Sequence, residues 1–80
     1  MAVYPVPVKV NQRFTFTTSL SEAELAGATL DIYNAMGQLE RKITNLSPQM
    51  SIEGFGLKGF YFGRLTTRDN EVRDIKIVVL

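Results

Sequence analysis

Eighty residues suffice for one domain and not for two, and a chain this short has a lean core, burying only about 60% of its unfolded surface. There is no Cys and no His, which removes disulfide staples, zinc sites, thiol nucleophiles and the usual general base together. Nine basic against eight acidic residues leave a net charge of +1, so the electrostatics give no reason to expect nucleic acid or an anionic membrane surface as partner.

The apolar runs are a few residues long, far short of a membrane-spanning helix. Met1-Ala2 lacks the basic start and apolar core of a signal peptide and reads as an artificial start before an excised domain. Residues 1–80 are expected to form one domain. The absence of Cys fits the cytosol and equally an envelope or secreted protein that does without disulfides.

The dominant period is two, interrupted roughly every 8–12 residues by turn chemistry. Val3 to Val10 reads as extended, and Pro5 and Pro7 confine it to a sheet edge, because neither offers a ladder N–H. Arg13 to Ser19 alternates, with Phe14, Phe16 and Thr18 on one face and Thr15 and Thr17 on the other, as in a half-buried antiparallel strand. Ser21-Glu22-Ala23-Glu24 reads as a capping box, but the segment to Gly27 is too short to hold a helix alone, so a turn is the expectation.

Ala28, Leu30 and Ile32 share a face in the next strand, opposite Thr29, Asp31 and Tyr33. Asn34-Ala35-Met36-Gly37 has the Asn and Gly preferences of a type I turn closing a hairpin, with Gly37 where positive φ is wanted. The chain returns over Gln38 to Ile43, with Leu39 and Ile43 expected inside and Arg41 between them. Asn45 to Pro48 is loop, Met50 to Glu53 a short strand, and Gly54 to Gly59 a glycine-rich approach to the next strand.

Gly59 to Thr67 and Val72 to Val79 form the last hairpin. A two-residue turn places Phe60 and Phe62 on the face of Ile75, Ile77 and Val79; a three-residue loop places Tyr61, Gly63 and Leu65 there instead. The second is favoured, because it collects Arg64, Thr66, Asp74 and Lys76 on the wet face. It leaves Phe60 and Phe62 outside as an unusual apolar patch. About seven short strands with almost no helix point to an all-β fold, a small immunoglobulin-like antiparallel β-sandwich, without the Cys–Trp–Cys core of antibody domains.

Catalysis has little to work with. Asp31 and Glu40 could oppose one another across a hairpin, but solvated strand charge explains both. Glu53, Asp69, Glu71 and Asp74 lack the spacing of a calcium loop. Gly54-Phe55-Gly56-Leu57-Lys58-Gly59 superficially resembles a phosphate loop, without the Lys-Ser/Thr ending or a following helix. Asn45-Leu46-Ser47 fits a glycosylation sequon, but Pro48 follows it. Lys58, Arg64, Arg68, Arg73 and Lys76 concentrate cations near the C-terminus, interleaved with acids as on a solvated strand face. No enzyme activity, cofactor or metal is expected.

Four stretches carry a resemblance. Tyr4-Pro5-Val6-Pro7 looks like the Tyr/Phe-Pro-Asn-Pro opening of the type A C-terminal sorting domains of type IX secretion cargo proteins in Bacteroidetes. Asp31-Ile32-Tyr33-Asn34-Ala35-Met36-Gly37-Gln38-Leu39 resembles their central hairpin. Leu57-Lys58-Gly59-Phe60-Tyr61 is similar to their Leu-x-x-Gly-x-Tyr stretch, shortened by one, and Lys76-Ile77-Val78-Val79 looks like their closing Lys with β-branched residues. The order is the family's and the span is almost the whole chain. Val6 stands where Asn is usual and Gln38 where Arg or Lys is commoner. Leu80 ends the chain where a charged residue is frequent.

The resemblance implies a folded secretion signal at the end of a larger cargo, in transit through the periplasm to the cell surface or medium. The outer-membrane type IX translocon would recognise it, and a sortase-type cysteine peptidase would remove it. It assigns Lys76, Ile77, Val78 and Val79 with Gly59 and Tyr61 to translocon recognition, through the edge that a last strand can offer for β-augmentation. Tyr4, Pro5, Pro7, Tyr33, Asn34 and Gly37 would be structural motif positions. An unpaired terminal strand also allows strand exchange between two copies. The rival reading is an adhesive or carbohydrate-binding sandwich with an exposed aromatic platform at Phe60 and Phe62; a blander one is a spacer without a ligand.

Overall fold

The period-two pattern becomes seven strands in the computed structural model, which describes residues 1–80. They are β1 (Ala2–Tyr4), β2 (Phe14–Thr17), β3 (Thr29–Asn34), β4 (Leu39–Ile43), β5 (Gln49–Ile52), β6 (Gly59–Thr66) and β7 (Val72–Val79). A single-turn helix, α1 (Glu22–Leu25), lies between β2 and β3. One sheet has the order β1-β2-β5 and the other β4-β3-β6-β7. Every pair of neighbouring strands within the two sheets runs antiparallel. The chain changes sheet after β2, after β4 and after β5, so the strands make an immunoglobulin-like sandwich rather than a meander.

The inner faces are those the alternation marks. Phe14 and Phe16 come from the three-stranded sheet; Leu30, Ile32, Leu65, Ile77 and Val79 come from the other. Leu20, Leu25, Leu46 and Phe55 close the open sides from the connections. Each such side chain, fully buried, stabilises the fold by about 1.5–3 kcal/mol before entropy is counted. Without disulfides this burial is the main force holding the sheets together. The Ser21 hydroxyl accepts from the Glu24 N–H (3.2 Å), and the Glu24 carboxylate accepts from the Ser21 N–H (3.0 Å). This capping box holds one real helical turn where the sequence reading expects a mere turn, because Leu25 anchors it in the core.

The last hairpin takes the three-residue alternative. Tyr61 pairs with Ile77, Gly63 with Ile75 and Leu65 with Arg73. The Thr67 N–H donates to Glu71 O and Asn70 adopts φ 64°, the left-handed residue that a type I turn with a bulge requires. Phe60 and Phe62 therefore stand on the outer face.

Three further readings change. Leu39 is not inside: a register shift between Ile32 and Tyr33 pairs Ile32 with Arg41 but Tyr33 with Leu39, leaving Glu40 over. That bulge reverses side-chain parity, so Arg41 and Ile43 stay on the inner face and Leu39 joins Tyr33 outside. Asp31 is opposite Lys42, not Glu40, and bonds its ammonium at 3.2 Å. Finally, β7 does not offer its C-terminal edge freely. Val8 donates its N–H to Val78 O (2.9 Å) and accepts from the Leu80 N–H (2.9 Å), and Val10 donates to Leu80 O (3.0 Å). The chain after β1 thus lies along the end of β7 as a short parallel addition.

Candidate functional site

The resemblance motifs fall on separate elements, yet three of them meet at one end of the sandwich. The β3–β4 turn is built by Asn34. Its carboxamide oxygen accepts from the N–H groups of Met36 (2.9 Å) and Gln38 (3.0 Å), and its amide donates to the Gln38 side chain (3.0 Å). Gly37 has φ 82°, a conformation that a side chain resists. Beside this turn runs Leu57–Tyr61, and a groove of about 190 Å³ between them is lined by Met36, Glu40, Leu57, Lys58 and Phe60. A second, largely apolar cleft of about 440 Å³ lies between Lys58–Phe60 and the chain end at Val78–Leu80. The fourth motif, Tyr4–Pro7, is the exposed link by which the chain leaves β1 on one sheet and reaches the β7 edge on the other. Both of its Xaa–Pro bonds are cis.

Tyr61 belongs to the core. Its ring stacks on Phe55 at 4.0 Å between centroids, and its hydroxyl donates to Leu57 O at 2.8 Å. Burial, reinforced by the Glu40 carboxylate, raises its pKa above the ordinary tyrosine value. Phe55 stacks in turn on Phe14. The Arg41 guanidinium lies over the Phe55 ring as well, 4.3 Å from the ring centroid, donating to Glu53 O and to Gly54 O (2.6 Å). Arg41 thereby ties the edge strand β4 to the loop that leaves β5.

The six residues assigned to recognition divide by burial. Ile77 (2% exposed), Val79 (0%) and Tyr61 (4%) are interior and cannot meet a partner while the domain is folded. Gly59 and Lys76 are exposed and Val78 is half-buried, the last two on the outer face of β7. Of the structural positions, Asn34 and Gly37 shape the turn. Tyr33 stands on the outer face of β3, across from Phe62.

That outer face has two halves. Toward β3's start and β6's end its charges are paired: Lys42 with Asp31, and Arg64 with Asp74 at 2.8 Å. The Arg64 guanidinium draws the Asp74 carboxyl below the usual aspartate range. Toward the motif end the face is apolar. Leu39, Tyr33 and Phe62 line up across three strands, and Phe60 and Val78 follow in the next row. Phe60 is 49% and Phe62 45% exposed, and the Lys76 ammonium lies over the Phe60 ring at 4.3 Å. Lys76 and Lys58 have no ion-pair partner.

No family model, curated protein or solved structure matches the chain.

Some of this was missed at the sequence level. The inward Arg41 and outward Leu39 depend on a bulge that no residue type announces. Gly54 sits in a glycine-rich stretch, but nothing there signals that it touches the backbone of Asn11 and Gln12. The pairing of Val8 with β7 is hinted only by an extended stretch with prolines. No cluster of acidic side chains is arranged to hold a metal ion.

Proposed function

We propose that this domain is a C-terminal sorting signal for type IX secretion, read by an outer-membrane translocon and removed afterwards by a sortase-type cysteine peptidase. In that role the chain is ligand and substrate, and the chemistry belongs to its partners. One observation supports the reading above others: the Asn34–Gln38 turn, the Leu57–Tyr61 stretch and the Lys76–Val79 strand, distant in sequence, adjoin at one end of the sandwich. Clustering of separate motif stretches on one end is what a surface recognised as a folded unit requires.

The test is to fuse residues 1–80 to the C-terminus of a periplasmic reporter in a Bacteroidetes host with an intact type IX pathway. Surface or extracellular delivery of the fusion is expected, while the reporter alone stays in the periplasm. Periplasmic retention of a folded, intact fusion would overturn the reading. A deletion of Lys76–Leu80 would not serve as the test, because it removes the buried Ile77 and Val79 and should unfold the domain.

A second reading, an adhesive or carbohydrate-binding module, is favoured by the exposure of Phe60 and Phe62 on one face. Binding of the isolated domain to a glycan array, lost on replacing those rings, would support it.

A further inference from the structure

The apolar half of the outer face is unusual for a chain of this size. The exposed Leu39, Phe62 and Phe60 with the half-buried Tyr33 and Val78 form one patch across all four strands of the larger sheet, and Leu57 and Leu80 extend it at the motif end. Soluble domains rarely expose contiguous apolar surface of this kind unless something covers it. The rings are held on paired backbone: β3 and β6 each have a strand on both sides. They are therefore preorganised, and little entropy remains to be lost on docking.

We infer that this face is the docking surface for a protein partner with an apolar centre and an acidic rim, centred on Phe60 and Phe62. The inference rests on the sorting-signal reading, and it moves recognition from the β7 edge to the outer face. Three observations favour it. The edge at Val78–Leu80 is already occupied by Val8–Val10. The patch borders the same end at which the motif stretches adjoin. And its cations outnumber its acids: Lys76 and Lys58 flank Phe60 without a carboxylate partner and only Glu40 brings negative charge to the same groove, whereas the cations Lys42 and Arg64 on the other half are paired. An acidic rim would complete what the patch leaves unneutralised.

A saccharide fits less well. Sugar recognition needs several side-chain amides and carboxylates free beside the rings, and here most are committed, with Glu40 the one carboxylate left free in the groove beside Phe60. Asn34 is spent on the turn, and Arg64 and Asp74 on each other.

The experiment is the reporter fusion with Phe60→Thr/Phe62→Thr and, separately, Lys76→Glu. Threonine suits an exposed strand position, so the fold should persist, as a cooperative melt of the purified domain would verify. The double variant should lower surface delivery at least about tenfold, as removal of central aromatic anchors does at an interface, and Lys76→Glu should lower it several-fold. A Thr15→Ser control on the opposite sheet should deliver normally.

If the unaltered fusion is delivered and the folded double variant is delivered equally, the docking face is wrong and the sorting reading stands. If the unaltered fusion is retained, both fail together. Binding of the purified domain to a glycan array, or to vesicles of phosphatidylethanolamine and phosphatidylglycerol, abolished by the double variant, would also overturn the protein occupant.

Discussion

Replacing Arg41 by Met tests how the two sheets are pinned at the motif end. Met keeps a flexible apolar stem against Phe55 but removes the guanidinium, its two bonds to Glu53 O and Gly54 O, and the stacking over the ring. A hydrogen bond from a charged donor contributes about 1.5–3 kcal/mol, with the lower end appropriate for Glu53 O, which water can reach. Partly exposed cation–π contact adds about 0.5–1 kcal/mol. Allowing for rehydration of the released carbonyls, the loss should be about 3 kcal/mol. A domain of this length is stable by roughly 4–12 kcal/mol, so the variant should approach the margin of folding. The melting temperature should fall by about 12–24 °C. Urea unfolding followed by far-ultraviolet circular dichroism would measure it, with the slope against denaturant unchanged if the fold is retained. Arg41→Lys should restore only part of the loss, because an ammonium cannot bridge two carbonyls and lie flat on the ring together. A loss below about 0.5 kcal/mol for Arg41→Met would refute the pinning role.

Asn34→Ala removes the acceptor for the Met36 and Gln38 N–H groups and should cost about 1–2 kcal/mol in chemical denaturation, with Asn34→Asp costing less because it keeps that acceptor. In Gly54→Ala the new Cβ would lie 2.5 Å from Gln12 O and 2.6 Å from Asn11 C, so backbone must shift and about 1–3 kcal/mol should be lost. At Gly56 the nearest atom is 3.8 Å away, and Gly56→Ala should change stability by less than about 0.5 kcal/mol. Asp74 is held below the usual carboxyl range by Arg64, and Glu24 by the Ser21 N–H and hydroxyl. Depressed acids stabilise the fold above the unfolded carboxyl range, near pH 4, and that contribution is lost as pH falls through their folded values. Melting curves of the protein and of Asp74→Asn should therefore differ at neutral pH and converge in acid; a constant gap would contradict the assignment.

Sequence alone reaches the fold class, the alternation that selects Phe14, Phe16, Leu30 and Ile32 for the core, and the places of the two hairpin turns. Those are local properties. A period of two decides which side chains share a face, and Asn34, Gly37 and Asn70 meet the demands of the turns they sit in. The outward stand of Phe60 and Phe62 was only favoured at that level: two registers stayed open, and one of them collected Arg64, Thr66, Asp74 and Lys76 on the wet face.

Tertiary structure decided the rest. The extra residue at Glu40 reverses the parity of β4, an event that depends on how two strands settle against each other. It sends Leu39 out to the aromatic face and keeps Arg41 inside, where Phe55 arrives from a loop twelve or more residues away in the chain. The edge of β7 is closed by Val8–Val10, some seventy residues earlier, so its availability cannot be read from the strand itself. Burial then separates Ile77 and Val79 from Lys76 and Val78 within one motif. A strand carries both faces in its sequence, and only the opposing sheet determines which face remains for a partner.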